Sequence, residues 1–239
     1  MVAAVLKRIA AHMPTDVQHE LRRVFFRKQI RHHRFVTDER EYGLLDIFLM
    51  PGDWAIDIGA NVGHYTLRMA ELVGAAGRVV AFEPVPDTFA LLAANARLFA
   101  HANVTLLNVA VSDATAIGGI HIPSFADGLA NYYQAHLGAG HADVSILTLS
   151  VDALDLPARV KLVKIDVEGH EQAVLRGMRG LIERDRPVLI VETGSAETAA
   201  ILHGHGYDTE RLDGSSNLLC MHRDDNRSGT ANERRTQPG

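Results

Sequence analysis

Residues 54–66, WAIDIGANVGHYT, decide the fold. "WAIDI" is a short apolar run of strand length, Gly59 and Gly63 bracket a turn, and "GHYTLRMAELV" then repeats its apolar residues at helical spacing. Glycine in such a turn admits positive φ and lets a ligand approach the backbone closely. The turn departs from the dinucleotide fingerprint G-x-G-x-x-G, because Asn61 takes the middle position. Asp57 places a negative charge where a pyrophosphate would be repelled and an ammonium or sulfonium favoured, which argues against NAD.

Working outward, the same alternation continues. "RVVAFE" precedes helix-patterned "PDTFALLAANARLFA", "VKLVKIDV" precedes "EQAVLRGMRGLIERD", and "PVLIVET" precedes "AETAAILHGHG". "VTLLNVAV", read as one strand, leads instead into an irregular region. Buried strands alternating with helices predict an α/β fold with a parallel sheet covered on both faces. At the end, "YDTERL" and "NLLCMHR" flank only "DGSSN" and predict an antiparallel hairpin closing one sheet edge. The inserted region, residues 114–147, predicts two extra strands around a long loop that lies over the ligand-binding edge of the sheet.

Four strands end in an acid: Asp57, Glu83, Asp166 and Glu192. In a parallel sheet these ends share one edge, where ligands bind at the reversal of strand order. One acid before a helix needs only the helix dipole to explain it, whereas four together point to a site. Glu83, ending the strand after the glycine turn, suits a ribose diol because a carboxylate can accept both hydroxyls.

Together "LMPGDWAIDIGANVGHYTLRMA", "GRVVAFEPVPDTFALLAANA", "NVAVSD" and "VKLVKIDVEGHEQAVLRGM" resemble the FkbM-type class I methyltransferases, which use S-adenosylmethionine. The resemblance spans roughly residues 41 to 193 and implies a Rossmann-like doubly wound sheet, mostly parallel, to which the residue pattern adds the C-terminal antiparallel hairpin. It implies that Asp57, Gly59, Asn61 and Gly63, with Ala60 in the same turn, contact the methionine part of the cofactor. Glu83 would hold the ribose, and Ala110 to Asp113 would lie near the adenine. The implied activity is O-methylation of a hydroxyl on a sugar, glycolipid or secondary metabolite. Residues 1–36 and those after 222 inherit nothing from it.

The chemistry centres on "VKIDVEGHEQAVLRGM", residues 163–178. From Val174 onward it is the buried face of a helix, but Asp166, Glu168, His170 and Glu171 are the candidate catalytic residues. An alcohol nucleophile must lose its proton, and His170, with an ordinary pKa near 6.5, is suited to accept it while Glu168 or Glu171 orients the ring. Alternatively, Asp166 and Glu168 bind Mg²⁺, or Asp166 contacts the cofactor ammonium, or the glutamates only favour a helix N-terminus. Spacing fixes no further metal ligand, so no metal residue is assigned and Mg²⁺ is the lesser alternative. His64, after the glycine turn, reads as an exposed helix start, with a place bordering the cofactor as the alternative, and Tyr132 and Tyr133 as either acceptor-stacking or core residues.

The chain of 239 residues has a net charge of −5, which argues against whole-domain nucleic-acid binding. It divides into an N-terminal helical region (1–50), the methyltransferase domain (51–222) and a tail without apolar residues (223–239), expected to be disordered. Two N-terminal helices are expected, with Thr15 and Gln18 as a capping box before Val17, Leu21, Val24 and Phe25, and Asp38 and Glu41 at capping spacing before the second. "LRRVFFRKQIRHHR" is locally basic: a cationic helix face suited to RNA, to a subunit interface or to weak contact with an anionic membrane surface. An RNA methyltransferase and a non-catalytic S-adenosylmethionine-binding protein are therefore the alternatives to a small-molecule enzyme. Cys220 cannot form an internal disulfide and no stretch is long enough to span a membrane, so a cytoplasmic protein is expected.

Overall fold

The computed structural model describes residues 13–123, 135–137 and 142–224. Its large sheet contains β1 (Trp54–Ile58), β2 (Arg78–Phe82), β3 (Val104–Leu107), β8 (Val160–Ile165), β9 (Val188–Glu192), β10 (Tyr207–Arg211) and β11 (Asn217–His222). Their order is β10-β11-β9-β8-β1-β2-β3. The strands from β9 to β3 are parallel, while β11 runs antiparallel to both β9 and β10, as the hairpin reading predicts. A second sheet is made by β4 (Ala110–Val111), β5 (Ala116–His121), β6 (His136–Leu137) and β7 (Val144–Leu149).

Both faces of the large sheet are buried, so its central strands alternate between two apolar layers rather than between core and water. Ala55, Val79, Leu162 and Ile190 pack against Leu45 of α2 (Arg40–Phe48) and Tyr65, Met69 and Val73 of α3 (His64–Val73). Ile56, Val80, Val163 and Val191 face Val174 and Leu175 of α5 (Glu171–Gly177), Leu181 and Ile182 of α6 (Arg179–Asp185) and Leu202 of α7 (Ala196–Gly204). Leu92 of α4 (Pro86–Ala96) packs on Ala81, and α1 (Thr15–Arg31) lies outside α4, with Ile30 against Phe35 and Leu91.

Strand order reverses at β1: β2 and β3 extend to one side, and β8 and β9 to the other. The crevice at this point forms because the chain leaves β1 and β8 in different directions. Gly59 is required there, since at φ 80° an added Cβ would lie 1.8 Å from the Asp166 carbonyl oxygen.

Several local expectations are corrected. "VTLLNVAV" is not one strand: the Asn108 side chain donates to the Glu83 and Pro84 carbonyls, and the chain then turns to pair Ala110 and Val111 with β7. The helix over 171–185 breaks at Met178. The Gly177 carbonyl accepts from the Ser150 hydroxyl, and the Asp152 carboxylate caps the Gly180 and Leu181 amides to start α6. Neither N-terminal helix starts at its expected cap. Helix α1 starts directly after Pro14 and Gln18 donates to the Met13 carbonyl, while α2 starts after Glu39 and buries Glu41 against Ser215 and Asn217. Val17, Leu21, Val24 and Phe25 face solvent, because Phe26 and Ile30 are the residues that α1 turns inward. Arg223 and Asp224 are tied down by Asp208 and Arg186, and the remainder of the expected disordered tail lies outside the described residues.

Candidate active site

The crevice at the strand reversal opens into a cavity of about 530 Å³, within the range of small-molecule sites. Its walls come from the turn after β1, the ends of β2, β8 and β9, the loop between α1 and α2, and the second sheet. Asp57, Glu83, Asp166 and Glu192 all line it, so the strand-end acids do converge.

At its floor, Asp57 on β1 stands directly beside Lys164 on β8 in the parallel register. Both side chains lie inside the sheet, and each charge makes the other's burial tolerable. Burial pushes the Asp57 carboxyl upward, partly opposed by Lys164 and by the Thr66 hydroxyl donating to Oδ2 at 2.6 Å; Oδ1 has no hydrogen-bond partner among the described residues. Burial acts to lower the Lys164 pKa, but the carboxylates of Asp166, Asp57 and Glu39 more than reverse this and keep it an ammonium. Its Nζ sits 2.7 Å from Asp166 Oδ2 and 4.5 Å above the Tyr65 ring, whose hydroxyl donates to Glu39 at 2.6 Å.

Glu83 forms the second wall. Its two oxygens each accept one backbone N–H, from Asn61 at 2.8 Å and Val85 at 2.9 Å, which leaves each a further lone pair. Burial raises its pKa to about 7 despite those bonds. Glu192, which accepts from the Ser216 hydroxyl at 2.7 Å, is also raised to about 7, by burial and by the adjacent Asp166.

The third wall is the turn after β8. Glu168 holds φ 46° and Asn61, across the cavity, φ 50°, conformations that cost non-glycine residues of order 1–3 kcal/mol and concentrate at functional sites. Glu168 is raised by burial and by the charges of Asp166 and Glu171. His170 Nε2 lies 2.9 Å from the Ser112 hydroxyl, which donates onward to Asp113 Oδ1 at 3.3 Å. With the Ser112 proton directed at Asp113, His170 carries its own proton on Nε2 and Nδ1 is its basic nitrogen. Burial lowers the His170 pKa, so the ring is neutral at pH 7 and able to accept a proton.

A family model described as the methyltransferase FkbM domain matches residues 57–209. The chain belongs to the FkbM methyltransferase family. It is thereby an S-adenosylmethionine-dependent methyltransferase. This FkbM-family chain is 32% identical over 210 residues to the 31-O-demethyl-FK506 methyltransferase FkbM of Streptomyces tacrolimicus, covering 73% of this chain and 80% of that protein. It is 31% identical over 140 residues to the hexuronic acid methyltransferase AglP of Haloferax volcanii, covering 56% of this chain and 53% of that one. Among solved structures, the methyltransferase FkbM of Methylobacillus flagellatus KT superposes with a TM-score of 0.50 at 16% identity, a likeness of fold. That alignment covers 72% of this chain and 44% of the solved one, so the FkbM-family chain spans less than half its length.

Of the residues singled out from sequence, Asp57, Gly59, Ala60, Asn61, Glu83, Ala110, Asp166, Glu168 and His170 line the cavity of this FkbM-family chain. Three do not. Gly63, at φ 99°, is the turn residue before α3; Glu171 is buried and accepts from the Gly169 N–H at 2.7 Å; Asp113 is drawn outward by Arg176 at 2.9 Å. For His64 the alternative holds over the exposed helix start: it lines the cavity and stacks on Phe35, with ring centroids 4.0 Å apart. Asp166 and Glu168 do not fit a magnesium site, because the Lys164 ammonium already occupies the cation position on Asp166. Among the described residues no group of three or more His, Cys, Asp or Glu could hold a metal. Tyr132 and Tyr133 lie outside the described residues.

Sequence reasoning missed Lys164, Tyr65 and Glu39. Lys164 carried a signal: it shares strand parity with Leu162 in a strand buried on both faces, so it required a buried counter-charge. Glu39 sits in a loop and carried none.

Proposed function

We propose that this methyltransferase methylates an uncharged hydroxyl acceptor, on a sugar, glycolipid or secondary metabolite, with His170 as the general base. The observation that carries the reading is the Asp113–Ser112–His170 chain, which orients a neutral imidazole at the cavity wall with Nδ1 as its acceptor. His170 Nδ1 would take the proton that the acceptor hydroxyl loses on being methylated, and release it afterwards to solvent.

The residues present fit S-adenosylmethionine. Unpartnered Asp57 Oδ1 and the surrounding acids favour a cationic ligand, and the free lone pairs of Glu83 suit a ribose diol. Gly59, Ala60 and Asn61 allow close backbone approach, and Ala110 lines the cavity beyond Glu83. When bound, S-adenosylmethionine supplies a methyl carbon already activated by its sulfonium. The chain's own work is then alignment and proton acceptance, and alignment alone is worth roughly 7 to 11 kcal/mol in favourable intramolecular cases.

The charge of the cavity supports an uncharged acceptor. Glu39, Asp166, Glu168 and Glu192 line it, and Lys164 is committed to Asp166 and Asp57, so a second carboxylate entering with the acceptor would meet repulsion. The AglP relative is named for a hexuronic acid, and the test is therefore direct. With radiolabelled methyl donor, neutral hexosides and polyols are expected to be methylated at least ten-fold faster than the matched hexuronates. Preferential methylation of the hexuronates would overturn the uncharged-acceptor reading.

A further inference from the structure

Met13, Val17, Leu21, Val24 and Phe25 are five of the large apolar side chains that the described residues leave exposed, and all belong to α1 or the residues just before it. Leu21 is 47% exposed and Phe25 54%. On an α-helix Val17, Leu21, Val24, Phe25 and Lys28 fall within a sector of about 100°. The opposite face is already used: Phe26 and Ile30 pack on Phe35, Leu67 and Leu91, which fixes the helix to the body and its apolar stripe outward. Beside and within the stripe stand Arg27, Lys28, Arg31 and, just beyond the helix, Arg34, all exposed, whereas the acids of α1, Asp16 and Glu20, lie in its first half.

We infer that α1 is a docking surface for an anionic lipid membrane. An exposed apolar stripe bordered by cations is the pattern of a helix that lies in the headgroup plane, with its apolar side chains at the acyl boundary and its Lys and Arg among lipid phosphates. A polyanion such as RNA would engage the cations but gives no role to Val17, Leu21, Val24 and Phe25. The charge sign and the apolar row therefore favour the bilayer. No helix among the described residues is long and apolar enough to cross a membrane, so the contact is peripheral. Val36 and Thr37, in the loop that leaves α1, line the cavity, which places a docked bilayer within one loop of the site. Docking is independent of what the cavity methylates.

The experiment is co-sedimentation of the full chain with phosphatidylcholine vesicles made with or without phosphatidylglycerol. The protein is expected to pellet with the anionic vesicles, less so as salt is raised, and to stay in solution with phosphatidylcholine alone. Arg27→Glu/Lys28→Glu/Arg31→Glu is expected to weaken binding on the order of a hundred-fold, at roughly five-fold or more for each cation lost. Leu21→Glu/Phe25→Glu should weaken it at least ten-fold, and unchanged S-adenosylmethionine binding in both variants confirms that they fold. Four results would overturn the inference. These are absence of binding to anionic vesicles, binding that neither variant weakens, a concentration-dependent dimer dissolved by Leu21→Glu/Phe25→Glu, and vesicle binding that appears only once residues 1–12 are removed. Salt-sensitive RNA binding without vesicle binding counts with the first.

Discussion

Lys164→Met is expected to melt on the order of 10 °C below the parent chain near neutral pH. Methionine fills most of the lysine volume, so the loss reads charge rather than a cavity. Removing one partner of a buried ion pair strands the other, at roughly 3 to 5 kcal/mol, and here Asp57 and Asp166 are both left facing an apolar thioether. In a domain of this size each kcal/mol moves the midpoint roughly 2 to 4 °C. The sign with pH follows from which state is stranded. The deficit requires ionised carboxylates, so it should shrink as the buffer is made acidic, beginning with Asp57, whose pKa burial already raises. Thermal melts at neutral and mildly acidic pH check both statements, and an unchanged midpoint would show that the floor of the cavity does not depend on this pair.

His170→Ala is expected to lower turnover by roughly 10²- to 10³-fold with little change in cofactor affinity, because a general base contributes to the transition state and not to holding the donor. In the parent chain with the donor saturating, kcat should persist as pH falls to the ordinary imidazole value of about 6.5 and decline only below it. Burial moves the imidazole pKa downward, and the ring stays an acceptor until it is protonated. Ser112→Ala should give a smaller loss that appears in kcat and not in KM, since it removes only the group that fixes the tautomer. Measuring kcat, KM and donor affinity for both variants with a hydroxyl acceptor separates these roles. Full turnover in His170→Ala would move proton acceptance to another group, with Glu168 the next in the wall.

The parallel sheet was legible because its strands are short apolar runs punctuated by glycine and proline, and the hairpin because "DGSSN" leaves no room for a helix. The break at Met178 was not. It depends on Ser150 and Asp152, distant in sequence, competing for backbone groups that a continuous helix would use. The same limit explains the misplaced caps and the outward stripe of α1: apolar spacing finds a helix, but the position of Phe35 and Leu91 decides which of its two apolar faces is covered. In the site, strand-end acids could be named one by one because sheet topology brings such ends together. The resemblance of "NVAVSD" placed Asp113 near the adenine, whereas Arg176 on α5 draws its carboxylate outward, off the cavity lining. Glu171 looked catalytic by adjacency, yet a helix start turns it inward to the Gly169 amide.

S-adenosylmethionine held in the crevice beside β1 through Asp57 and Glu83 should show itself in calorimetric titration of that donor across neutral pH. Glu83 is held near pKa 7 by burial, and the ribose hydroxyls bind its ionised form, so affinity should rise as pH climbs through about 7 and level off above. In Glu83→Gln the affinity should be roughly ten- to a hundred-fold weaker at high pH, the worth of hydrogen bonds to a charged group, and nearly flat with pH. Equal affinity and equal pH dependence in the two proteins would mean that Glu83 does not hold the donor.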